Sequence, residues 1–257
     1  MSGVWGWQGV VLSWGRFAWG GGVGWGVRYV GGPEVIMSLK ILGAGISPFV
    51  RKVRVVCAEK GLDYELEPVI PMNPPPGWRD VSPLGKIPAL EHDGRVVNDS
   101  SVICAYLERI APEPALYPAD PYACARATWL EEYADGGLVP VAGPKVFMPV
   151  VLRPLLSGGE PESAAIDAAA KAMHEEVGPL LAYLEQQIGD AEFFVEDRLS
   201  IADISVASMM VNLRHAGFPP DAERFPKVAA FVQRMHARPS FRACIDEEKQ
   251  LLGKRWA

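Results

Sequence analysis

The sequence predicts an α+β protein, with a small mixed domain over residues 37–117 followed by an all-helical domain over 122–257. Three observations carry this. Strand and helix signals follow the order β-α-β…β-β-α as far as Ile110. A short linker, Leu116-Tyr117-Pro118-Ala119-Asp120-Pro121, follows, and beyond it helical spacing runs to the end. Residues 1–36 belong to neither pattern.

The first domain opens with Lys40-Ile41-Leu42, an apolar run that ends in Gly43-Ala44-Gly45 and reads as a strand entering a loop. Ser47 then precedes Pro48. Serine at the N-cap with proline at the first helical position marks a helix start. Val50, Val53, Val56 and Cys57 recur at helical spacing with Arg51, Lys52 and Arg54 between them, and Glu59-Lys60-Gly61 closes the helix. Ser47 reads equally as an ordinary cap or as a hydroxyl offered to a ligand. Leu62 to Leu66 resumes a strand. After a Pro-rich connection, Ile87-Pro88-Ala89-Leu90-Glu91 begins another, and His92-Asp93-Gly94-Arg95 turns it back into Val96-Val97. A trans Pro88 simply starts that strand, whereas a cis bond leaves the Ile87 main chain facing outward to pair with an extended peptide. Asp99-Ser100 opens an amphipathic helix carrying Val102, Ile103, Tyr106, Leu107 and Ile110. Its start offers free N–H groups to an anion and a carboxylate to an ammonium.

In the second domain, Tyr122 to Asp135 places Trp129, Leu130 and Tyr133 on a helix expected to close at Gly136-Gly137. The stretch Gly136–Pro161 holds Pro140, Pro144, Pro149, Pro154 and Pro161, and is expected to be a loop able to shape a pocket wall, with the helix broken. Ser163 to Ile188 has a good helix composition. Ser200-Ile201-Ala202-Asp203 is a capping-box pattern, which makes Ser200 and Asp203 structural. Phe225-Pro226-Lys227 opens a further helix that ends near Arg238-Pro239-Ser240.

The chain has 257 residues, 49% hydrophobic, with net charge −6, enough for two small cores. The acidic balance argues against nucleic acid as a partner. No run of eighteen apolar residues points to a membrane span. Cys57, Cys104, Cys124 and Cys244 are dispersed in predicted helices and read as apolar residues of a reducing compartment. His92, His174, His215 and His236 lack ligand spacing, so no metal is expected. Residues 1–36 hold eleven glycines and five tryptophans with one acid, Glu34. That composition resists regular structure and looks like G-rich upstream DNA read in frame. We therefore expect a disordered or non-native extension, with the natural start at Met37.

Taken together, the Ser47-Pro48-Phe49-Val50-Arg51-Lys52-Val53, Gly85-Lys86-Ile87-Pro88-Ala89-Leu90 and Asn98-Asp99-Ser100-Ser101 motifs resemble the glutathione-binding half of a serine-type, bacterial-like glutathione S-transferase. The capping box and the Pro-led, Arg-Pro-Ser-closed segment resemble its helical half, so the likeness spans Met37 to about Phe241. It implies a thioredoxin-like domain followed by a helical bundle. It places Lys86 at the glycyl carboxylate of glutathione, Ile87 and Pro88 at the cysteinyl main chain, Asp99 and Ser100 at the γ-glutamyl end, and Ser47 beside the thiol. It also implies a transferase that activates the glutathione thiolate for conjugation to, or reduction of, a small-molecule electrophile, with glutathione as co-substrate without a metal, in a cytoplasmic, detoxifying homodimer. By the same analogy Trp129, Tyr133, Phe147 and Met148 are candidates for the electrophile pocket, and they read equally well as core. Two alternatives stay open. One is a non-catalytic binding or regulatory protein of this fold. The other is a glutathione-dependent isomerase or dehalogenase, although maleylacetoacetate isomerases carry Ser-Ser-Cys at the helix start where this chain reads Gly45-Ile46-Ser47-Pro48.

Overall fold

A computed structural model describes residues 3–7, 10–19, 22–30 and 39–253, the first three stretches as backbone. The chain divides into two compact units, Met1–Met37 and Ser38–Ala257. In the first, β1 (Gly3–Trp7), β2 (Val10–Trp19) and β3 (Gly22–Val30) form an antiparallel sheet in sequence order. Glycine content alone predicts irregular backbone there. The valines, tryptophans and Tyr29 between the glycines are strand-favouring residues, and they give the segment its sheet pattern. Met37, the expected start, lies outside the described residues.

In the second unit β4 (Leu39–Leu42) pairs in parallel with β5 (Tyr64–Glu67) and antiparallel with β6 (Ala89–His92), which pairs with β7 (Arg95–Asn98). The order β5-β4-β6-β7 is the mixed sheet expected. α1 (Pro48–Glu59) crosses between the parallel strands, a short α2 (Trp78–Val81) lies in the Pro-rich connection, and α3 (Ser100–Ile110) follows the hairpin. Gly61, at φ +65°, closes α1 in the left-handed region where glycine is favoured.

The helical half corrects one expectation. α4 (Pro121–Glu132) does not stop at Gly136-Gly137. It continues through wide π turns over Tyr133–Leu138 and Gly143–Leu152, with α5 (Val139–Ala142) between them and α6 (Arg153–Ser157) at the end. Proline lacks the N–H of the normal ladder and crowds the carbonyl four residues back. The wider i→i+5 turns let Pro140, Pro144, Pro149 and Pro154 sit inside one helical run instead of ending it. By length and composition this run, Pro121–Ser157, could cross a membrane. Its buried side chains Leu130, Leu138, Val146 and Val151 instead join the common core.

α7 (Ser163–Ala172), a π turn over Met173–Val177 and α8 (Gly178–Ile188) follow. α9 (Ile201–His215) is buried nearly all round, and α10 (Pro226–Ala237) and α11 (Pro239–Leu252) pack beside it. α1 lies against α3, α9 and α11, and one apolar core runs from the sheet into the helices. Ser200 and Asp203 form the expected capping box: Ser200 N and Oγ both donate to Asp203 Oδ2 at 2.8 Å. Cys57, Cys104 and Cys244 are buried in helices and Cys124 is half-buried. Burial pushes the Cys57 thiol up to about 12 and the Cys244 thiol to about 11, so neither supplies a thiolate at neutral pH.

Candidate functional site

One cavity of about 810 Å³ opens between the sheet layer and the helices. Ser47, Lys86, Ile87, Pro88, Asp99 and Ser100 all line it, so the fold brings together the whole set expected of the first domain.

Each arrives there for a local reason. Ser47 is the N-cap of α1 in extended backbone, held by Ser47 N–H to the Ala44 carbonyl at 3.0 Å. Its hydroxyl makes no cap bond, which leaves it available within the cavity. The residue before it is gripped from the helical half. Buried Arg51 donates to the Ser208 carbonyl at 2.6 Å and Asn212 Oδ1 at 2.8 Å, both on α9, and to Glu248 at 2.7 and 2.6 Å. Arg51 Nη2 and Asn212 Nδ2 each reach the Ile46 carbonyl at 3.4 Å. The Arg51 guanidinium holds the buried Glu248 carboxyl below the usual range, against the opposing effect of burial.

Gly85, at φ +68°, turns the chain before Lys86, and Ser82 Oγ fixes that turn by donating to the Lys86 carbonyl at 2.8 Å. The Ile87–Pro88 peptide is cis. Asn98 anchors the other edge through the Val81 carbonyl at 3.0 Å. Asp99 sits at φ +73°, uncommon for a residue with a side chain, and its Oδ1 accepts from Ser101 N–H at 2.9 Å as the cap of α3. Ser100 beside it is buried.

Of the four electrophile-pocket candidates, Phe147 lines the cavity, and Trp129, Tyr133 and Met148 do not. Trp129 and Tyr133 point to α8 instead: Trp129 Nε1 donates to Tyr183 Oη at 2.8 Å and Tyr133 Oη to the Leu180 carbonyl at 3.2 Å. The cavity wall is the neighbouring stripe, Glu132, Asp135, Gly136, Val139, Ala142 and Gly143, at helical spacing. The stretch 136–161 thus supplies much of the wall, as expected, but as a helical run rather than a loop, which sets which of its residues face the cavity. Leu152, Leu155, Leu156, Met209 and Leu213 extend the apolar wall.

A second buried cation was also missed. Lys52 Nζ donates to Glu131 at 2.9 Å, Asp135 at 2.5 Å and Ser101 Oγ at 3.1 Å, and Asp135 and Ser101 line the cavity. Burial pushes the Glu131 carboxyl up and Lys52 draws it back down, leaving it raised overall. Nothing in the α1 periodicity distinguishes these cations from solvated ones, because the partners come from 80 to 200 residues away. Among the described residues no group of His, Cys, Asp and Glu side chains is placed to hold a metal.

Comparison with known proteins fits this geometry. Residues 46–110 match the glutathione S-transferase N-terminal domain and residues 155–247 the C-terminal domain. Glutathione S-transferase 3 of Zea mays is 30% identical over 213 residues, covering 80% of this chain and 93% of that protein. A maleylacetoacetate isomerase of Pseudomonas aeruginosa is 29% identical over 197 residues, covering 74% and 88%. The crystal structure of a glutathione S-transferase from Methylobacillus flagellatus with GSH bound superposes with a TM-score of 0.65 at 30% identity, over 80% of this chain and 98% of that one. The two-layer fold, the shared cavity and these likenesses lead to one conclusion: the chain belongs to the glutathione S-transferase family.

Proposed function

We propose that this chain binds glutathione with Lys86, Ile87, Pro88, Asp99 and Ser100, ionises its thiol beside Ser47, and transfers the thiolate to an uncharged apolar electrophile. The observation that carries the reading is the single cavity in which the Ser47 hydroxyl, unused as a cap, meets that binding set and an apolar wall.

The magnitudes are adequate. A free thiol of pKa ~8.5 is only ~3% ionised at pH 7, and lowering it by two units takes about 2.7 kcal/mol of selective thiolate stabilisation. A hydroxyl donating to a charged acceptor supplies on the order of 1.5–3 kcal/mol. The positive end of α1 adds about 0.3–1 kcal/mol. The thiol proton leaves to solvent and the sulfur lone pair attacks the electrophilic carbon. An S–C bond forms as the electrophile's leaving group departs with the displaced electron pair, or as an added double bond takes up a proton.

The wall favours an uncharged electrophile. Among the described lining residues Lys86 is the only cation, and the resemblance assigns it to glutathione. A dicarboxylate of the kind an isomerase turns over lacks a basic partner along Val139, Ala142, Phe147, Leu152 and Leu155. The likeness to a maleylacetoacetate isomerase keeps isomerisation as the second reading. A homodimer is part of this proposal by family likeness.

Calorimetric titration with glutathione, followed by thiolate absorbance against pH, tests the reading on wild type and Ser47→Ala. Binding by both, with the thiol shift lost only in the variant, is the expected result. If neither protein binds, the chain is a transferase-shaped interaction module.

A further inference from the structure

Away from the cavity, the ends of three helices converge on a separate pocket of about 230 Å³. Arg214 lies in the last turn of α9, His236 in the last turn of α10, and Arg242 and Lys249 on α11, with Asp246 and Gln233 completing the lining. Arg242 and Lys249 are seven residues apart, about 10 Å and two turns along one helix face, with Asp246 between them. Among the described residues Arg214, Arg242 and Lys249 enter no ion pair; the salt bridges of the molecule lie elsewhere.

This is an anomaly in a chain of net charge −6. Three bases and one acid share a small concave space, so the lining is cationic overall. Helix dipoles account for part of it, since Arg214 and Lys249 sit at negative C-terminal ends. They do not account for Arg242, which sits near the positive start of α11. His236 also lines the pocket. It is 6% exposed, its Nε2–H donates to the Ala207 carbonyl at 3.0 Å, and its Nδ1 has no hydrogen-bond partner. Burial pushes this imidazole down to about 4, and the charges of Arg51, Arg214 and His215 push the same way.

We propose that this pocket binds a phosphate group through Arg214, Arg242 and Lys249. Two guanidinium forks and an ammonium suit a tetrahedral oxyanion, and the net lining charge of +2 matches its dianion. The space exceeds that of a phosphate alone, so it has room for part of a group that carries one. The site is independent of glutathione binding, because none of its residues lines the large cavity.

The test is calorimetric titration of the full chain with inorganic phosphate and with adenosine monophosphate, at constant ionic strength. Saturable one-to-one binding is expected. Arg214→Gln and Arg242→Gln should each weaken it about tenfold or more, and Asp246→Asn should strengthen it severalfold by removing a like charge. All three are exposed, so folding should be retained, and glutathione titration of each variant should match wild type. Tighter binding of adenosine monophosphate than of phosphate identifies a phosphate carried on a larger molecule, and equal binding identifies the free anion. Absence of saturable heat up to about 10 mM of either probe overturns the proposal. So does an Arg214→Gln/Arg242→Gln protein that binds as wild type does.

Discussion

Ser47 and Ser200 carry the same signal in the sequence and end in opposite situations. Each is a serine in extended backbone at the start of a helix. Ser200 is fully buried, and its N–H and hydroxyl are both spent on Asp203. Ser47 is half-buried, has proline where Ser200 has isoleucine, and keeps its hydroxyl out of any cap. A capping box needs an acid or amide three residues after the cap to close on. Ser200 has Asp203 there, and Ser47 has Val50. The difference between a structural and an available serine therefore lies in the third residue downstream rather than in the serine itself.

Helix α9 links the two, since Ser200 starts it and its Ser208 and Asn212 hold Arg51 beside Ile46. The largest expected effect breaks the comparison by disturbing that link. Glu248→Ala leaves Arg51 buried without its carboxylate, and denaturant unfolding should show a loss of about 3–5 kcal/mol. A loss below about 1 kcal/mol would mean that water reaches Arg51.

Ser47→Ala sharpens it. Turnover of the glutathione thiolate should fall about 10- to 100-fold, the rate equivalent of one charged hydrogen bond. Stability should stay within about 0.5 kcal/mol, because no cap bond is lost. A stability loss of 1 kcal/mol or more would return Ser47 to the role of an ordinary cap.

Next comes pH. Burial holds the Asp203 carboxyl up at about 6 despite its bonds to Phe194 N–H and Ser200. The unfolded chain ionises this group near 3.9, so the folded state binds the proton more tightly. Its contribution is fully present below about pH 4 and is lost as pH rises through 6, on the order of 3 kcal/mol. Unfolding of Asp203→Asn across that window should lack this component, and an unchanged profile would assign the dependence to other groups. The smallest effect is Ser200→Ala, about 1 kcal/mol of stability with the thiol ionisation of bound glutathione unchanged. A shifted thiol would show that α9 transmits its cap to the site.

Much of this was legible because it rests on local rules. Ser47-Pro48, the Asp93-Gly94 turn, Asp99 at a helix start and the Ser200–Asp203 box are all short-range signals, and each element they predicted is present. Two things were not legible. The Pro-rich wall reads as a loop because proline rules assume the normal helical ladder, and only the tertiary setting selects wide turns. The burial of Arg51 and Lys52 depends on Glu248 and Glu131, partners that local periodicity cannot connect. The pocket residues follow the same rule: Phe147 alone of the four candidates lines the cavity, since Trp129 and Tyr133 lie on the wall's helical run but turn toward α8.

The wide turns of the Pro121–Ser157 run have a consequence for how such a wall can vary. A π turn is an ordinary helix with one residue accommodated as a bulge. Each residue added or removed there rotates everything beyond it by about 100°. An insertion at Tyr133–Leu138 matched by a loss at Gly143–Leu152 would thus turn a different set of side chains between them toward the cavity and leave both ends of the run in register. The wall works as a rotary dial, able to exchange one cavity-facing stripe for another while the opposite side, with Ser47, Lys86 and Asp99, stays as it is.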